Sequence, residues 1–226
     1  WRGELGRGRV NVPVLAVPVR RGAELALDGR LDDAVWQDLP ATPLVDVQSG
    51  AAARVATTFK MYWDGGDRAG HMVFGLRCEE PDMANLRTLT ADAGDWRLFS
   101  ADNVELLIET QVHSYYQIAF DPAGHRIDLD RKDGLHSTWS GEVEVVTARD
   151  AAGWTAEVRV PLFGSTQAEL NPELGVSGDP PSREAPWYFN VGRVRKRGTS
   201  MEVSAFSPTL TTGFHEVLKF GKLTPP

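Results

Sequence analysis

Aromatic residues near strand ends are the part of this sequence most suggestive of chemistry. In loops, flat rings offer a surface for the apolar C–H face of a sugar, and neighbouring polar side chains can bind its hydroxyl groups. The alternative is that most of these rings belong to the hydrophobic core, where aromatic residues are commonly buried. The candidates are Trp96, Phe99, Tyr115, Tyr116, Trp139, Trp187, Phe206 and Phe214.

Carboxylates and histidines indicate a functional site less strongly than the aromatic residues do. Asp102 and Glu105 lie close together at the start of a predicted strand, but a glycosidase needs two carboxyl groups at a defined separation across a cleft. Asp128, Asp130 and Asp133 could bind calcium, although the segment lacks the glycine and terminal glutamate of an EF-hand, so a solvated turn is favoured. The sequence has no H-E-x-x-H spacing, no G-x-S-x-G elbow and no phosphate-binding loop.

Composition and charge narrow the choice of partners. A net charge of −7 argues against a nucleic-acid surface, and the basic run (Arg193, Arg195, Lys196 and Arg197) is predicted to be a solvated turn. No stretch of about 18 apolar residues indicates a membrane span. Cys78 is the only cysteine and lies in an alternating segment, so we interpret it as a structural residue rather than a nucleophile.

Period-two alternation runs through almost the whole chain and predicts the elements that hold these residues. Short strands separated by turn residues predict an all-β fold, an antiparallel β-sandwich of two sheets. One helical turn is expected within residues 31–39, and a short helix within a surface loop over residues 164–186. Strands are predicted within residues 53–63, 71–80, 102–110, 114–124, 141–162, 186–207 and 217–225.

The chain is expected to hold one domain. Residues 23–226 are predicted to form the sandwich, and residues 1–22 to be an N-terminal extension or linker from a longer protein. The sequence starts without a methionine or an apolar signal-like segment, so any export signal is expected to lie outside it.

Seven pieces of this sequence, in order, make it similar to the carbohydrate-binding modules of family 9, which belong to a wider group of DOMON-like β-sandwiches. The resemblance extends from about Leu25 to Leu223. It implies a jelly-roll-like sandwich with a sugar slot between two stacked aromatic rings. The pieces are LDGRLDDAVWQDLP, FKMYWD with HMVFGLRCEEPDM, DNVELLIE, YYQIAFDPAG, GWTAEVRVPL, WYFNVGRVR and FSPTLTTGFHEVLKFGKL.

The resemblance also implies which aromatic residues flank the slot. The spacing to Asp102 selects Phe99 as the first ring, and Trp96, slightly earlier in the chain, is the alternative. The spacing to the F-G pair at residues 220–221 selects Phe214 as the second ring.

The polar positions of the slot follow from the same resemblance. Glu105, Gln117 and Asn190 are implied to bind sugar hydroxyl groups, and Arg193 matches a polar position common in the wider group. Ala119 stands where sugar-binding members have an arginine, which removes a fork of donors.

The implied function is non-catalytic binding of poly- or oligosaccharide by a module that targets an attached carbohydrate-degrading enzyme. We expect a carbohydrate ligand, other domains of a longer chain, no nucleic-acid or membrane partner, and an extracellular or periplasmic location. No cofactor is expected to be required; the resemblance suggests a structural calcium, whose ligands the sequence does not place.

Two alternatives stay open. The first is a structural or interaction module that has lost sugar binding, which the phenylalanine and alanine substitutions favour. The second is a haem-binding DOMON-like domain, for which Met61, Met72, Met83 or Met201 could supply an axial ligand.

The segment over residues 27–40 combines acidic residues with a tryptophan, yet in the family pattern it lies far from the slot. A turn at Asp28 and Gly29 is expected, with Asp32 capping the following helical turn. Trp36 is therefore predicted to anchor the fold rather than to contact a ligand.

Overall fold

The computed structural model confirms the predicted β-sandwich. Most strand pairs are antiparallel, and two short pairs at the sheet margins are parallel. The structure describes residues 9, 11–65, 69–89, 94–113, 115–131, 137–139, 141–163 and 175–225.

The larger sheet contains nine strands in the described residues. They are β1 (Val14–Ala16), β3 (Val45–Asp46), β6 (Asn103–Glu109), β7 (Tyr116–Phe120), β8 (Arg126–Asp130), β9 (Ser137–Thr138), β13 (Trp187–Arg197), β14 (Ser200–Ala205) and β15 (Gly221–Thr224). Their order is β1-β15-β13-β6-β7-β8-β9, and β14 lies between β13 and β3.

The smaller sheet contains six strands in the same part of the chain. They are β2 (Thr42–Pro43), β4 (Thr57–Gly65), β5 (Ala69–Glu79), β10 (Glu144–Arg149), β11 (Gly153–Phe163) and β12 (Val176–Ser177). Their order is β10-β11-β5-β4-β2, with β12 pairing with β11.

Alternate residues of each strand point between the sheets and build the core. Val104, Leu106 and Ile108 of β6 are buried there, whereas the residues between them face the other side of the sheet. Cys78 of β5 is buried in the same core, and burial raises the pKa of its thiol to about 11. A protonated, inaccessible thiol is a poor nucleophile, so the structural interpretation of Cys78 is confirmed.

Residues that precede the predicted domain boundary contribute to the sandwich. β1 pairs in parallel with β15, and the carbonyl of Pro13 accepts a hydrogen bond from the Lys222 amide at 2.8 Å. The Trp63 amide donates to the Pro18 carbonyl, also at 2.8 Å. Of the predicted extension, residues 13–20 are therefore part of the packed domain. The two prolines obscure this strand in the sequence, because proline in a sheet is confined to edges.

The outer face of the smaller sheet holds Trp36 in a closed socket. Its indole Nε1 donates to Glu157 Oε1 at 2.8 Å, and its ring packs edge-on against Tyr62 at 5.5 Å. Glu157 Oε2 also accepts from the Asp28 and Gly29 amides, both at 2.9 Å. Gly29 has φ of 84°, which suits the predicted turn. Trp36 is fully buried, so its predicted role as an anchor is confirmed.

The cap position of the helical turn in this segment is one residue later than predicted. Helix α1 spans Ala34–Gln37, and Asp33 occupies the position before it. The Asp33 carboxylate makes no cap bond to the helix; its Oδ2 accepts from the Ala26 amide at 3.1 Å. The prediction that Asp32 caps the helix is wrong, because the adjacent carboxylate occupies the cap position and closes the preceding loop.

The basic run is the end of β13, not a solvated turn. Arg193, Arg195 and Arg197 approach the fully buried carboxylate of Glu80 at 3.3, 2.8 and 2.5 Å. Arg197 also pairs with buried Asp102 at 2.6 Å. Burial alone would raise the pKa of Glu80, but the bond from Arg195 and the positive charges hold it below its usual value. These arginines therefore join the ends of the two sheets through a buried ionic network.

Some predictions lie outside the described residues. The helix expected in the loop over residues 164–186 falls almost wholly on residues 164–174, which the structure does not describe. In the described chain, no helix has the length and apolar character needed to cross a membrane.

Candidate functional site

The candidate site lies on the outer face of the larger sheet, which is directed away from the core. Glu105 of β6 and Gln117 of β7 both point to this face, and Gln117 Nε2 donates to Glu105 Oε2 at 2.7 Å. Only 5% of Glu105 and 2% of Gln117 is exposed. Gln117 Oε1 has no hydrogen-bond partner in the described structure. An unused, buried acceptor is costly unless a ligand or water completes it, so this place is a candidate binding site.

The charge of Glu105 is finely balanced. Burial raises the pKa of its carboxyl from 4.5 to about 7. The hydrogen bond from Gln117 and the positive charges of Arg131 and Lys196 act in the opposite direction and are outweighed. Near neutral pH this carboxyl therefore exchanges between a form that only accepts hydrogen bonds and a form that can also donate one.

The first predicted ring position is a short 3-10 turn over Trp96–Ser100 beside β6. Asp95 fixes its start, because its side chain accepts from the Arg97 amide at 2.8 Å. The rings of Trp96 and Phe99 lie 5.7 Å apart and are tilted by 44°. Trp96 is 50% exposed, whereas Phe99 packs partly against the outer residues of β7 and β8. Trp96 is thus the more accessible of the two candidates.

Phe214 lies directly over the strand that faces Glu105. In the pairing of β13 with β6, Gly192 is opposite Glu105, and a Cβ added to Gly192 would come within 2.5 Å of the Phe214 ring. The ring also packs with Leu107 and Phe220 and is only 3% exposed. Phe214 therefore stands next to the Glu105 position but presents almost no free face for stacking.

Asn190 is on the same strand but has a different role in this structure. It is fully buried, and its side chain brackets Ser207: Nδ2 donates to the Ser207 carbonyl at 2.8 Å, and Oδ1 accepts from the Ser207 amide at 2.9 Å. With both ends of its amide used, Asn190 fixes the start of the loop that carries Phe214.

A second polar group lies on the same face and contains Tyr115, Arg131 and His215. The Tyr115 hydroxyl accepts from Arg131 Nε at 3.3 Å and lies 3.1 Å from His215 Nδ1. Tyr115 is one of the aromatic candidates named from the sequence, and alternation also places it on this face, because it lies two residues before Gln117 on the same face as Ala119. Arg131 follows β8, opposite Tyr115, and could not be assigned because β8 was interpreted as a turn.

The acidic segment considered for calcium is partly strand β8. Asp128 pairs with Arg126 at 2.9 Å, and Asp130 lies 2.7 Å from His113 Nε2. The prediction of a solvated turn is wrong for these two, and Asp133 lies outside the described residues. Over the described ranges no three His, Cys, Asp or Glu side chains meet in a way that could hold a metal ion.

The methionines give the haem alternative no support. Met61 and Met72 are buried in the core, and Met201 is exposed on β14. Met83 lies in a 3-10 turn after β5.

Comparison with known proteins gives structural but not sequence matches. No family model matches the chain, and no curated protein matches it by sequence. A candidate carbohydrate-binding protein of Bacteroides uniformis superposes with a TM-score of 0.69 at 15% identity, covering 95% of this chain and 99% of that one.

Two further similar structures are of a family 9 carbohydrate-binding module from Caldicellulosiruptor kristjanssonii. The complex with glucose gives a TM-score of 0.62 at 14% identity, covering 94% of this chain and 95% of that one. The complex with cellotriose gives 0.60 at 14% identity, covering 94% of each chain. The chain thus has the β-sandwich fold of family 9 carbohydrate-binding modules, as its sequence pattern predicts.

Proposed function

We propose that this chain is a non-catalytic carbohydrate-binding domain with its slot on the outer face of the larger sheet. The observation that carries the proposal is the buried Glu105–Gln117 pair, in which Gln117 Oε1 has no described partner. A sugar hydroxyl would satisfy that acceptor, and Glu105 would accept from a second hydroxyl. The fold supports the proposal, because similar domains have been solved with glucose and cellotriose.

The aromatic residues form the other walls of the proposed slot. Trp96 is the ring on which the sugar's C–H face stacks, because half of it is exposed next to Phe99. Phe214 closes the slot beside Glu105, and Asn190 holds the loop that carries Phe214. No step of bond breaking is assigned to any of these residues.

The biological role we propose is attachment. In an exported protein, a domain that holds poly- or oligosaccharide raises the local substrate concentration for an enzyme domain on the same chain. An extracellular or periplasmic location, and the absence of nucleic-acid and membrane partners, are parts of this proposal. No cofactor is required by it.

A second candidate is an interaction module that has lost sugar binding. It is favoured by the burial of Phe214 and by the use of both amide ends of Asn190 within the fold. Ala119 points the same way, because it supplies no donor to the slot.

Isothermal titration calorimetry with glucose, cellobiose, xylobiose and galactose, with and without calcium, separates the two candidates. We expect saturable heat with at least one sugar, and its loss in Trp96→Ala and in Glu105→Ala. Val112→Ala is the matched control for removal of a half-exposed apolar side chain away from the slot. It should bind like the parent.

The absence of heat from a protein that unfolds cooperatively would favour the interaction module. Saturable heat that survives Trp96→Ala and Glu105→Ala would show that sugar binds elsewhere. Dependence of affinity or melting temperature on calcium would indicate a cation site in this domain.

A further inference from the structure

Asn103 is a buried polar residue on the outer face of the larger sheet, and the proposed slot gives it no role so far. It lies two residues before Glu105 on β6, so strand alternation places both side chains on the same face, about 7 Å apart. Opposite Asn103 on β13 is Val194, which packs in the same hydrophobic cluster as Phe214. Asn103 is therefore part of the sheet surface that carries the slot.

One end of the Asn103 amide is used within the fold, and the other end is not. Its Nδ2 donates to the Ala101 carbonyl at 3.1 Å, whereas its Oδ1 has no hydrogen-bond partner in the described part of the chain. Only 1% of the residue is exposed, so bulk water does not complete this oxygen. Asn190, on the facing strand β13, differs because both ends of its amide are bound to Ser207. Asn103 Oδ1 is thus an acceptor left for a ligand or a buried water.

The position of Asn103 connects two parts of the proposed slot. Ala101, which accepts its Nδ2, directly follows the 3-10 turn that carries Trp96, so Asn103 lies between that turn and Glu105 along the chain. Gln117 lies beyond Glu105 in the other direction along the sheet. It repeats the arrangement, because its Nε2 is bound within the fold and its Oε1 has no partner in the described structure. Unpaired carbonyl oxygens are therefore placed on both sides of Glu105.

We infer that Asn103 is a further recognition residue of the slot, whose Oδ1 accepts from a sugar hydroxyl, and that the slot selects sugars with free hydroxyl groups along the edge that faces β6. This inference rests on the proposed function and narrows its ligand class. An ether or ester oxygen has no hydrogen to donate, so an O-methylated or O-acetylated sugar leaves a buried carbonyl oxygen unpaired. The added group would also need space where Asn103, Glu105 and Gln117 are each no more than 5% exposed.

Sugars altered at one hydroxyl at a time test the inference. Calorimetry starts from the tightest-binding sugar among glucose, cellobiose, xylobiose and galactose, and compares it with its deoxy and O-methyl derivatives at each hydroxyl in turn. Removal of a hydroxyl that Asn103 or Gln117 binds should weaken binding about tenfold, the scale of one hydrogen bond. Methylation of the same hydroxyl should weaken binding at least as much.

Variants of Asn103 connect one of these hydroxyls to its Oδ1. In Asn103→Leu, which removes the oxygen and keeps the size, one deoxy derivative that binds the parent protein poorly should bind as tightly as the unmodified sugar does. A purely structural role would weaken all derivatives by a common factor and leave their ratios unchanged. Asn103→Asp keeps an oxygen at this place and should restore most of the discrimination. Asn85→Leu is the control, because Asn85 is exposed in a turn after β5, where its side chain binds Asp82.

The outcomes distinguish the inference from the function beneath it. If unmodified sugars bind and Asn103→Leu changes every affinity by the same factor, Oδ1 holds only a buried water, so the inference is overturned and the carbohydrate-binding domain stands. Equal affinities for a sugar and all of its O-methyl ethers overturn the inference in the same way. If no sugar binds to the folded protein, both fail. Asn103→Ala removes the same oxygen with less bulk and gives the same comparison if Asn103→Leu does not fold.

Discussion

Gln117 and Glu105 are diagonal neighbours on adjacent strands, and the 2.7 Å bond from Gln117 Nε2 to Glu105 Oε2 joins them across the sheet. Directly opposite, Glu105 faces Ala119 and Gln117 faces Leu107. The small alanine lets the carboxyl lean toward the amide, so an acid is buried with few polar partners. This relationship sets both the proposed slot and its response to pH.

Stability should depend on pH through Glu105. The folded-state pKa is raised from 4.5 to about 7, so the folded protein holds this proton more tightly than the unfolded chain does. The contribution of Glu105 to the free energy of unfolding is therefore greatest below pH 4.5. It falls by roughly 3 kcal/mol in all as the pH rises toward 7. Urea unfolding of the parent and Glu105→Gln across this range should reveal a difference that shrinks with falling pH.

A matched carboxylate controls for the other titrating groups. Glu144 is exposed on β10 and pairs with Arg159 at 3.1 Å. Glu144→Gln should follow the parent's pH profile. A Glu105→Gln profile parallel to that of the parent would mean that Glu105 titrates normally.

Gly192 should tolerate no side chain. A Cβ there would lie 2.5 Å from the Phe214 ring, so Gly192→Ala must displace the ring and should cost about 1–3 kcal/mol. Gly213→Ala adds the same methyl group next to Phe214 in open space and should stay within about 0.5 kcal/mol. Equal midpoints of urea unfolding for the two variants would mean that the Phe214 ring can be displaced at little cost in stability.

Trp36 should matter for stability and not for ligand choice. Trp36→Ala empties a closed socket and leaves Glu157 without its indole donor, so a loss of about 3–5 kcal/mol is expected. The socket lies on the outer face of the smaller sheet, across the core from the slot. Relative affinities for a sugar panel, measured in the cold where the variant is folded, should match the parent. A variant with parental stability and altered sugar preference would contradict this.

Removing the charge of two neighbouring carboxylates, Glu79 at the end of β5 and Glu80 just after it, should reduce stability by very different amounts. Glu80 is fully buried against three arginines, so Glu80→Gln removes the negative charge that they share and should cost about 3–5 kcal/mol. Glu79 pairs with Arg77 on a partly exposed surface, so Glu79→Gln should cost less than about 1 kcal/mol. Thermal melts at neutral pH compare the two variants. Similar losses of stability would argue against an essential role for the buried ionic network.

The sequence predicts the main strands because their alternation is clean. Val104, Leu106 and Ile108 alternate with polar or outward residues, and the same holds for the long strands of the smaller sheet. The strands that the sequence does not predict contain charged residues that are also typical of turns. In β8, charged Arg126 and Asp128 suggest a turn until the ion pair between them is seen.

The site is less predictable than the fold. Alternation and the family resemblance place Glu105 and Gln117 on one face, and the structure brings them into contact. The burial of Phe214 and the use of the Asn190 amide depend on a loop that packs back onto β13. Such contacts between residues distant in the chain leave no local pattern, so sequence alone could not reveal them.

The parallel pairing of β1 with β15 has a mechanical consequence. The two strands run side by side in the same direction, with Val14 opposite Lys222 and Ala16 opposite Thr224. A force that pulls β1 backwards and β15 forwards acts along the strands, so it loads their hydrogen bonds together in shear instead of opening them one by one. Forced unfolding is governed by the rate of crossing that barrier. A tether attached through these two strands would therefore hold under tension better than one attached through the antiparallel hairpin of β13 and β14.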